Sequence, residues 1–271
     1  MSKRKQNTGE GDGNDSDGSI VDIDFEFFDP NPEVDYLALK RLAQQLFQGD
    51  SEALQLNDLA DLVLAQPEVG TTVKCDGKES DPYAFLSVLN LHVHQNRPFV
   101  KALTAYALKQ SSADANFRNR LDALLGPEAL QSQANHVGFV FSERLVNMPV
   151  QLMPPMYRML AEEIQWAVEE NKPFRFSQYL FLAQTYHLSA EEAAELEANA
   201  PRSAKKPKNS TAASGASGEG VFSMHPEDEY IQKPRDKESF GLDTGCRMML
   251  VAAEDFPRLV EALAQAFPAP Q

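Results

Sequence analysis

Residues 21–27 alternate strictly between apolar and acidic side chains. Successive side chains of a strand point to opposite faces, so this pattern predicts a strand with one apolar face and one acidic face. The acidic face carries Asp22, Asp24 and Glu26, and the proline-rich residues 29–32 end the strand. These carboxylates fit either a solvated face or a binding site for a basic partner. Carboxylates two residues apart on a strand lie ~6.6–7 Å apart, too far to chelate one cation without help from another segment.

Amphipathic helices are predicted wherever apolar residues recur three and four positions apart. The stripes lie at residues 39–46, 59–63, 99–107, 117–125, 157–168 and 259–267. Asn57, Asn96 and Asp255 are the predicted N-caps of three of these helices, and Ser189 with Glu192 forms a capping box for a further short helix.

Further strands are predicted at residues 69–75, 83–94, 137–141, 174–186, 221–224 and 248–252. Residues 137–141 and 174–186 are apolar on both faces, which is typical of central strands covered on both sides. Helices and strands interleave without strict βαβ alternation. The sequence therefore predicts an α/β (α+β mixed) fold with a single mixed, mostly antiparallel sheet and helices on both faces.

Two stretches lack the large apolar side chains that a core requires. Residues 1–19 form a predicted disordered tail, and residues 198–219 form a basic linker rich in Ala, Ser, Gly, Lys and Pro. Residues 20–271 are accordingly predicted to form a single domain that this flexible linker interrupts.

The charge of the chain is strongly acidic and unevenly distributed. The total is −15, the first 20 residues carry −1 and residues 198–220 carry +3, so the remaining body carries −17. Such a body repels phosphate backbones and anionic lipid, and its natural complement is a basic protein. The N-terminus resembles no secretory signal and no run of about 18 apolar residues occurs. We therefore expect a soluble intracellular protein with no membrane span and no direct contact with nucleic acid.

Few residues fit a catalytic or metal-binding pattern. The two cysteines, Cys75 and Cys246, have no ligand spacing, and His92 with His94 on one strand face lacks further zinc ligands. Ser142 lacks the G-x-S-x-G context of a nucleophile. Glu143 and Arg144, at the end of a buried strand, are expected to pair with neighbouring segments. We predict no catalytic residue, no cofactor and no metal.

Residues 225–230 concentrate one histidine and three carboxylates beside a proline. General acid–base chemistry would require that one carboxylate be desolvated. Adjacent charges next to a proline instead favour an exposed turn, which is either a plain loop or a binding patch for a basic partner. Glu227, Asp228 and Glu229 are therefore candidate partner-binding residues, together with the acidic face at Asp22, Asp24 and Glu26.

The blocks at residues 142–149 and 154–157 resemble the signature of the BCCIP (Bcp-type) family. The strand at 21–27, the segment 85–91 and the segment 222–229 add to this likeness, which spans roughly residues 20–267. The likeness assigns a structural role to the family-motif residues Ser142, Glu143, Arg144, Asn147 and Pro149.

The resemblance implies a fold like that of GCN-type N-acetyltransferases without their activity. It also implies a nuclear chaperone or adaptor for a basic protein of the large ribosomal subunit, with roles in ribosome biogenesis, protein transport and nuclear export. The implied partners include the nuclear transport machinery and a lipid kinase. Basic clusters that fit nuclear-import signals occur at Lys3, Arg4 and Lys5 and at Lys205, Lys206 and Lys208.

An acyl-CoA-dependent acetyltransferase with a divergent coenzyme site remains the alternative. Active enzymes of that fold place Gln/Arg-x-x-Gly-x-Gly/Ala where a central strand meets a helix, and backbone N–H groups hold the coenzyme pyrophosphate there. The matching junction begins at Gln151 and has Pro154 and Met156 at the two glycine positions. Pro154 and Pro155 have no N–H to donate, which argues against the enzyme.

Overall fold

The computed structural model describes residues 24–132, 134–188, 220–232, 242–243 and 246–268, and only the backbone of 186–188, 220–222, 232 and 242–243. Several predicted features lie outside these residues: the tail at 1–19, Asp22 and its neighbours, the capping box at Ser189, the linker at 198–219 and both basic clusters.

The described chain forms seven α-helices and eight strands. The helices are α1 (Tyr36–Phe47), α2 (Leu56–Leu64), α3 (Pro98–Gln110), α4 (Ala115–Leu125), α5 (Met153–Glu169), α6 (Asp228–Gln232) and α7 (Phe256–Ala266). The strands are β1 (Glu26–Phe28), β2 (Gly70–Lys74), β3 (Ala84–Asn90), β4 (Val137–Arg144), β5 (Gln178–Leu188), β6 (Gly220–Ser223), β7 (Leu242–Asp243) and β8 (Cys246–Ala252).

All eight strands belong to one sheet in the order β1-β2-β3-β4-β5-β8-β7, with β6 paired to the far end of β5. The β4–β5 pair is parallel and the other pairs are antiparallel. The strands before and after residues 189–219 therefore share this sheet. The prediction of a single mixed, mostly antiparallel sheet is confirmed.

Helices cover both faces of the sheet, as predicted. Helices α1 to α4 pack on one face against side chains such as Phe85, Phe139 and Leu180. Helices α5 and α7 pack on the other face against Val88, Val140 and neighbouring residues. Strands β3, β4 and β5 thus bury side chains on both faces, which explains their continuous apolar runs. Among the described helices, none combines the length and apolar content needed to cross a membrane.

Several predicted boundaries and caps differ from the structure. Strand β3 ends at Asn90, not at residue 94, because the Asn90 Oδ1 accepts the backbone N–H groups of residues 92 and 93 and closes a turn. Helix α3 begins at Pro98, and its Phe99 N–H donates to the Asp58 carboxylate of α2 at 2.8 Å, so the cap comes from another helix and not from Asn96. Asn57 lies inside α2 and does not cap it. Asp255 directly precedes α7 but its side chain makes no capping hydrogen bond.

Candidate functional site

Polar side chains collect where the ends of β4 and β5 separate. The two strands pair in parallel over four residue pairs that end at Val140 and Phe181. Beyond that point β4 pairs with β3, whereas the end of β5 pairs with β6. The N–H of Met224, directly after β6, donates to the Gln184 carbonyl of β5 at 2.9 Å. The segment that follows β6 therefore lies beside the gap.

Arg144, the last residue of β4, forms a two-point ion pair with Glu227. Its Nε lies 2.7 Å from Glu227 Oε1 and its Nη2 lies 3.0 Å from Oε2. The side chains are only 3% and 2% exposed. Arg144 Nη1 also donates to the Met148 carbonyl at 2.8 Å, so the same guanidinium shapes the loop that contains Asn147 and leads to Pro149. A buried charge pair with this many hydrogen bonds is well compensated for its loss of water.

Glu143 joins three separate parts of the chain. Its Oε1 accepts the Gln45 side-chain N–H of α1 at 2.8 Å and lies 2.5 Å from His225 Nε2. Gln45 Nε2 also donates to the Arg144 carbonyl at 2.7 Å. Helix α1, strand β4 and the segment after β6 are therefore tied at one carboxylate. The interpretation that Glu143 and Arg144 pair with neighbouring segments is confirmed.

Asp228, the first residue of α6, is the least compensated carboxylate in this region. It is 7% exposed, and its Oδ2 has no hydrogen-bond partner among the described residues. Burial raises its pKa well above the ordinary value for an aspartate, and the carboxylates of Glu227 and Glu143 raise it further, while Arg144 acts in the opposite direction. Asp228 is therefore held in the neutral form to a higher pH than an exposed aspartate.

Arg247 of β8 closes the cluster from the other side. Its Nη1 donates to Ser223 Oγ at 3.0 Å and to Glu229 Oε1 at 3.1 Å. Nearby, the Tyr157 hydroxyl of α5 donates to Ser142 Oγ at 3.1 Å, and burial raises the pKa of this phenol far above its usual range. We call Glu143, Arg144, His225, Glu227, Asp228 and Arg247 the buried ionic cluster.

The buried ionic cluster fastens the chain segment after β6 to the rest of the fold. The carboxylates of Glu143 and Glu227 are engaged by Gln45, His225 and Arg144 rather than aimed into a cleft. Strongly shifted pKa values mark catalytic sites, but structural ion-pair networks also produce them. This geometry fits the structural role that the likeness assigned to Ser142, Glu143 and Arg144.

The expectation of an exposed acidic turn at Glu227, Asp228 and Glu229 is wrong. Glu227 is buried because Arg144 pairs with it, whereas Asp228 can be buried because its raised pKa favours the neutral form. The Glu229 side chain is 42% exposed and pairs with Arg247. Binding of a partner by these three residues stays a prediction, but it no longer has exposure of the whole segment to support it.

The other predicted acidic face is only partly described. Asp24 and Glu26 are exposed, as predicted, and Phe25 and Phe27 pack against the core on the α5 side. The regular strand is shorter than predicted, since pairing with β2 begins at Glu26. Asp22 lies outside the described residues, and a partner for this face stays a prediction.

His92 and His94 do not share a strand face, because both follow the end of β3. His92 is buried, its ring stacks on His136 with 4.7 Å between centroids, and its Nδ1 accepts the Val137 N–H at 3.2 Å. Burial and the neighbouring His136 lower the pKa of His92 to about 4. Within the described ranges, no three His, Cys, Asp or Glu side chains are arranged to hold a metal ion.

The junction between β4 and α5 has little in common with a pyrophosphate site. Gln151 lies exposed in a short 3-10 turn, and α5 begins at Met153 with prolines in its first turn. Pro154 is buried and Met156 is 0% exposed, so core packing occupies both positions where the enzymes have glycine.

Sequence reasoning missed several residues that the structure makes prominent. Arg247 belongs to the buried ionic cluster, Gln45 donates to its Glu143, and Tyr157 donates to the neighbouring Ser142. Nothing in the local sequence pattern of these three residues indicates this. Trp166 is different, since it lies off the apolar stripe of α5 and is 61% exposed. The position of this single tryptophan on the polar side of a predicted helix could have indicated its exposure from the sequence alone.

Comparisons with known proteins place the chain in a family. The sequence model of the BCCIP family matches residues 20–231. Protein bcp1 of Aspergillus fumigatus is 44% identical over 224 residues, which cover 83% of this chain and 72% of that protein. Protein bcp1 of Schizosaccharomyces pombe is 38% identical over 273 residues and 93% of each chain. The crystal structure of BCP1 from Saccharomyces cerevisiae has a TM-score of 0.61 at 27% identity and covers 94% of this chain and 93% of that one. The chain belongs to the BCCIP family.

Proposed function

We propose that the protein is a non-enzymatic nuclear chaperone or adaptor that binds a basic protein of the large ribosomal subunit. In this role it supports ribosome biogenesis and nuclear protein transport, including export, and works with the nuclear transport machinery and a lipid kinase. The observation that carries the proposal is the net charge of −17 on the body of a BCCIP family member. Neither the family name nor the names of these relatives denotes a catalytic activity.

A chaperone for a ribosomal protein must shield lysine and arginine side chains that otherwise bind RNA. Nonspecific binding to RNA is largely electrostatic, so neutralising the client suppresses it. An acidic body also steers a basic client towards it and accelerates association.

A capture experiment tests the proposal directly. The immobilised full-length protein is presented with the proteins extracted from purified large ribosomal subunits, and retained proteins are identified by mass spectrometry. We expect selective retention of one basic protein at 0.1 M salt and faster release at 1 M salt, because the Debye length falls from ~10 Å to ~3 Å. A polyglutamate resin is the control for ion exchange. Retention of the same set of proteins by both resins, or of none by the protein, would contradict the proposal.

The acetyltransferase alternative makes an opposite prediction. An enzyme with a divergent coenzyme site must still bind acetyl-CoA, whereas prolines at the start of α5 remove donors for its pyrophosphate. Calorimetry should therefore detect no binding tighter than a dissociation constant of about 100 μM, which corresponds to ~−5.5 kcal/mol. Tighter binding would favour the enzyme.

Nuclear entry is proposed to depend on the two basic clusters. Replacement of Lys3, Arg4, Lys5, Lys205, Lys206 and Lys208 by alanine should shift a fluorescently tagged protein towards the cytoplasm. The matched control is a variant in which six basic residues elsewhere in the chain are replaced by alanine without loss of the fold. An unchanged nuclear signal in the first variant would show that entry uses another route.

A further inference from the structure

Trp166 is the single tryptophan of the chain and lies in water on the outer side of α5. The helix buries Tyr157, Leu160 and Ile164 towards the sheet, and Trp166 is 61% exposed. Tryptophan is enriched among the residues that contribute most to binding between proteins, because it buries a large area with little loss of side-chain freedom. An exposed indole on a rigid helix is therefore a candidate anchor for a partner.

Three glutamates lie at neighbouring positions to Trp166 along the helix. Glu162, Glu163 and Glu169 lie four and three residues before Trp166 and three residues after it. Side chains at these spacings are neighbours, with ~5–6 Å between Cβ atoms. Arg158, the basic residue of α5, lies two turns before Trp166 and one turn before Glu162. We call Trp166 with Glu162, Glu163 and Glu169 the Trp166 patch.

The end of α5 is acidic in a place where helix stability favours basic residues. The C-terminus of a helix carries partial negative charge, and α5 ends at Glu169 with no basic residue in its last turn. Local choices that oppose stability are expected chiefly at functional sites. The negative end of the helix dipole therefore adds to the field of the carboxylates around Trp166.

Glu163 differs from the other two glutamates of the patch because hydrogen bonds from β2 hold its carboxylate. Its carboxylate accepts the Gly70 N–H at 2.8 Å and the Thr71 hydroxyl at 3.3 Å, which holds it on the surface of β2. Burial raises its pKa, and the nearby charges of Asp29 and Glu162 also raise it, against the effect of these hydrogen bonds.

We propose that the Trp166 patch binds an arginine side chain presented by a basic protein segment. A guanidinium can stack on the indole face and donate its N–H groups to the surrounding carboxylates at the same time. A lysine ammonium lacks the planar fork and should bind more weakly. The inference rests on the proposed function, since it supplies a docking site for the basic client.

The single tryptophan makes the site directly observable. The full-length protein is titrated with a peptide of alternating arginine and serine while Trp166 fluorescence is recorded at 0.1 M salt. We expect a saturable change in fluorescence, a weaker response to the lysine analogue and none to the analogue with neutral citrulline in place of arginine. Equal responses to the arginine and citrulline peptides would overturn the proposal.

Variants distinguish binding of the arginine peptide by the indole from attraction by the overall negative charge of the protein. Trp166→Ala should weaken arginine-peptide binding about tenfold by calorimetry, which matches one cation–π contact. Leu37→Ala is the matched control, because Leu37 is also exposed (68%) but lies on α1, on the other face of the sheet. Equal affinities of these two variants would overturn the proposal.

A second pair of variants tests the carboxylates. Glu162→Gln with Glu169→Gln should weaken binding about tenfold without lowering the melting temperature. Asp61→Asn with Glu128→Gln removes two exposed charges from the opposite face and should change affinity less than twofold. Equal losses from the two pairs would mean that only net charge matters and would overturn the site.

Two further outcomes separate this inference from the proposed function. If the ribosomal-protein capture succeeds but Trp166→Ala changes neither capture nor peptide binding, the function stands and the site is wrong. If the peptide binds at Trp166 but capture fails, the site stands and the proposed client is wrong.

A variant with Lys205, Lys206 and Lys208 replaced by glutamine should bind the arginine peptide with unchanged affinity. Tenfold tighter binding would assign the site to the chain's own basic linker and overturn the proposal.

Discussion

Helix α5 passes two groups of carboxylates that differ in their surroundings. Near its start, Tyr157 lies beside the buried ionic cluster, where Glu143 and Glu227 are 1% and 2% exposed and have close charged partners. Near its end, Glu162 and Glu169 are exposed and lie at neighbouring helical positions to Trp166, and among the described residues neither has an ion-pair partner.

The difference between the two groups follows from the cost of removing charge from water. A buried carboxylate loses its hydration, so Glu143 and Glu227 are paired with donors and cations, and the pKa of Asp228 is raised towards the neutral form. A surface carboxylate keeps its hydration and can remain unpaired, at only a small cost from repulsion. The excess negative charge of the protein can therefore be held only at the surface, and only there can it attract a partner.

Replacement of Arg144 should have the largest effect on stability, because it removes the cation that pairs with Glu227 in the buried ionic cluster. Arg144→Met leaves Glu227 buried without its two-point partner, and we expect a loss of about 3–5 kcal/mol in the free energy of unfolding. Urea denaturation at pH 7 measures it.

The matched control for Arg144→Met is Arg158→Met, an exposed arginine of α5. Surface substitutions of this kind usually change stability by less than ~0.5 kcal/mol. The double variant Arg144→Met with Glu227→Met should recover part of the loss, since no unpaired charge stays buried. Equal effects of Arg144→Met and Arg158→Met would erase the distinction between inner and outer charges.

Asp228→Asn should have the next largest effect and the opposite sign. The pKa of Asp228 is raised in the folded protein, so ionisation at neutral pH opposes folding. This cost is absent below the unfolded pKa of about 3.9 and grows as pH rises through the folded pKa. We therefore expect the asparagine variant to be more stable than the unmodified protein at pH 8, with the difference shrinking towards pH 4.

Urea denaturation between pH 4 and pH 8 measures this difference. Asp61→Asn on the surface of α2 shows what removal of one exposed charge does in the same assay. A pH-independent difference, or a variant less stable at pH 8, would mean that Asp228 is ionised and needed within the cluster.

The order of elements and the sheet class could be predicted because they depend on local periodicity. Residues 137–141 are apolar on both faces and lie within the central strand β4. The strand predicted at 174–186 is confirmed only from Gln178 onward, where β5 begins. The ends of the helices and strands were harder to predict, since they depend on contacts from distant segments of the chain. The cap of α3 comes from Asp58 of α2, which lies 41 residues from Phe99 in the chain.

The burial of Glu227 could not be predicted from its own neighbours. Its segment is as polar as an exposed turn, and only Arg144, 83 residues earlier, makes its burial favourable. The resemblance at residues 142–149 pointed to Arg144 but not to its partner. By contrast, the exposure of Trp166 follows from its position off the apolar stripe of α5. Its exposure was therefore easier to predict from the sequence than the burial of Glu227.

Glu169→Gln should have the smallest effect, and its sign completes the comparison. The Glu169 charge lies at the negative end of the α5 dipole, so its removal should stabilise the protein by about 0.3–1 kcal/mol at low salt. The gain should disappear near 1 M salt, where the Debye length is ~3 Å. The hydrogen bond from Gln165 can persist, because the glutamine oxygen still accepts it. Glu162→Gln, two turns earlier, is the control and should gain less stability because it lies further from the helix end.

Thermal denaturation at low and high salt measures both variants. A loss of stability in Glu169→Gln would show that this outer carboxylate, like the inner ones, has a structural partner, and the surface charge would then not be available for a basic client.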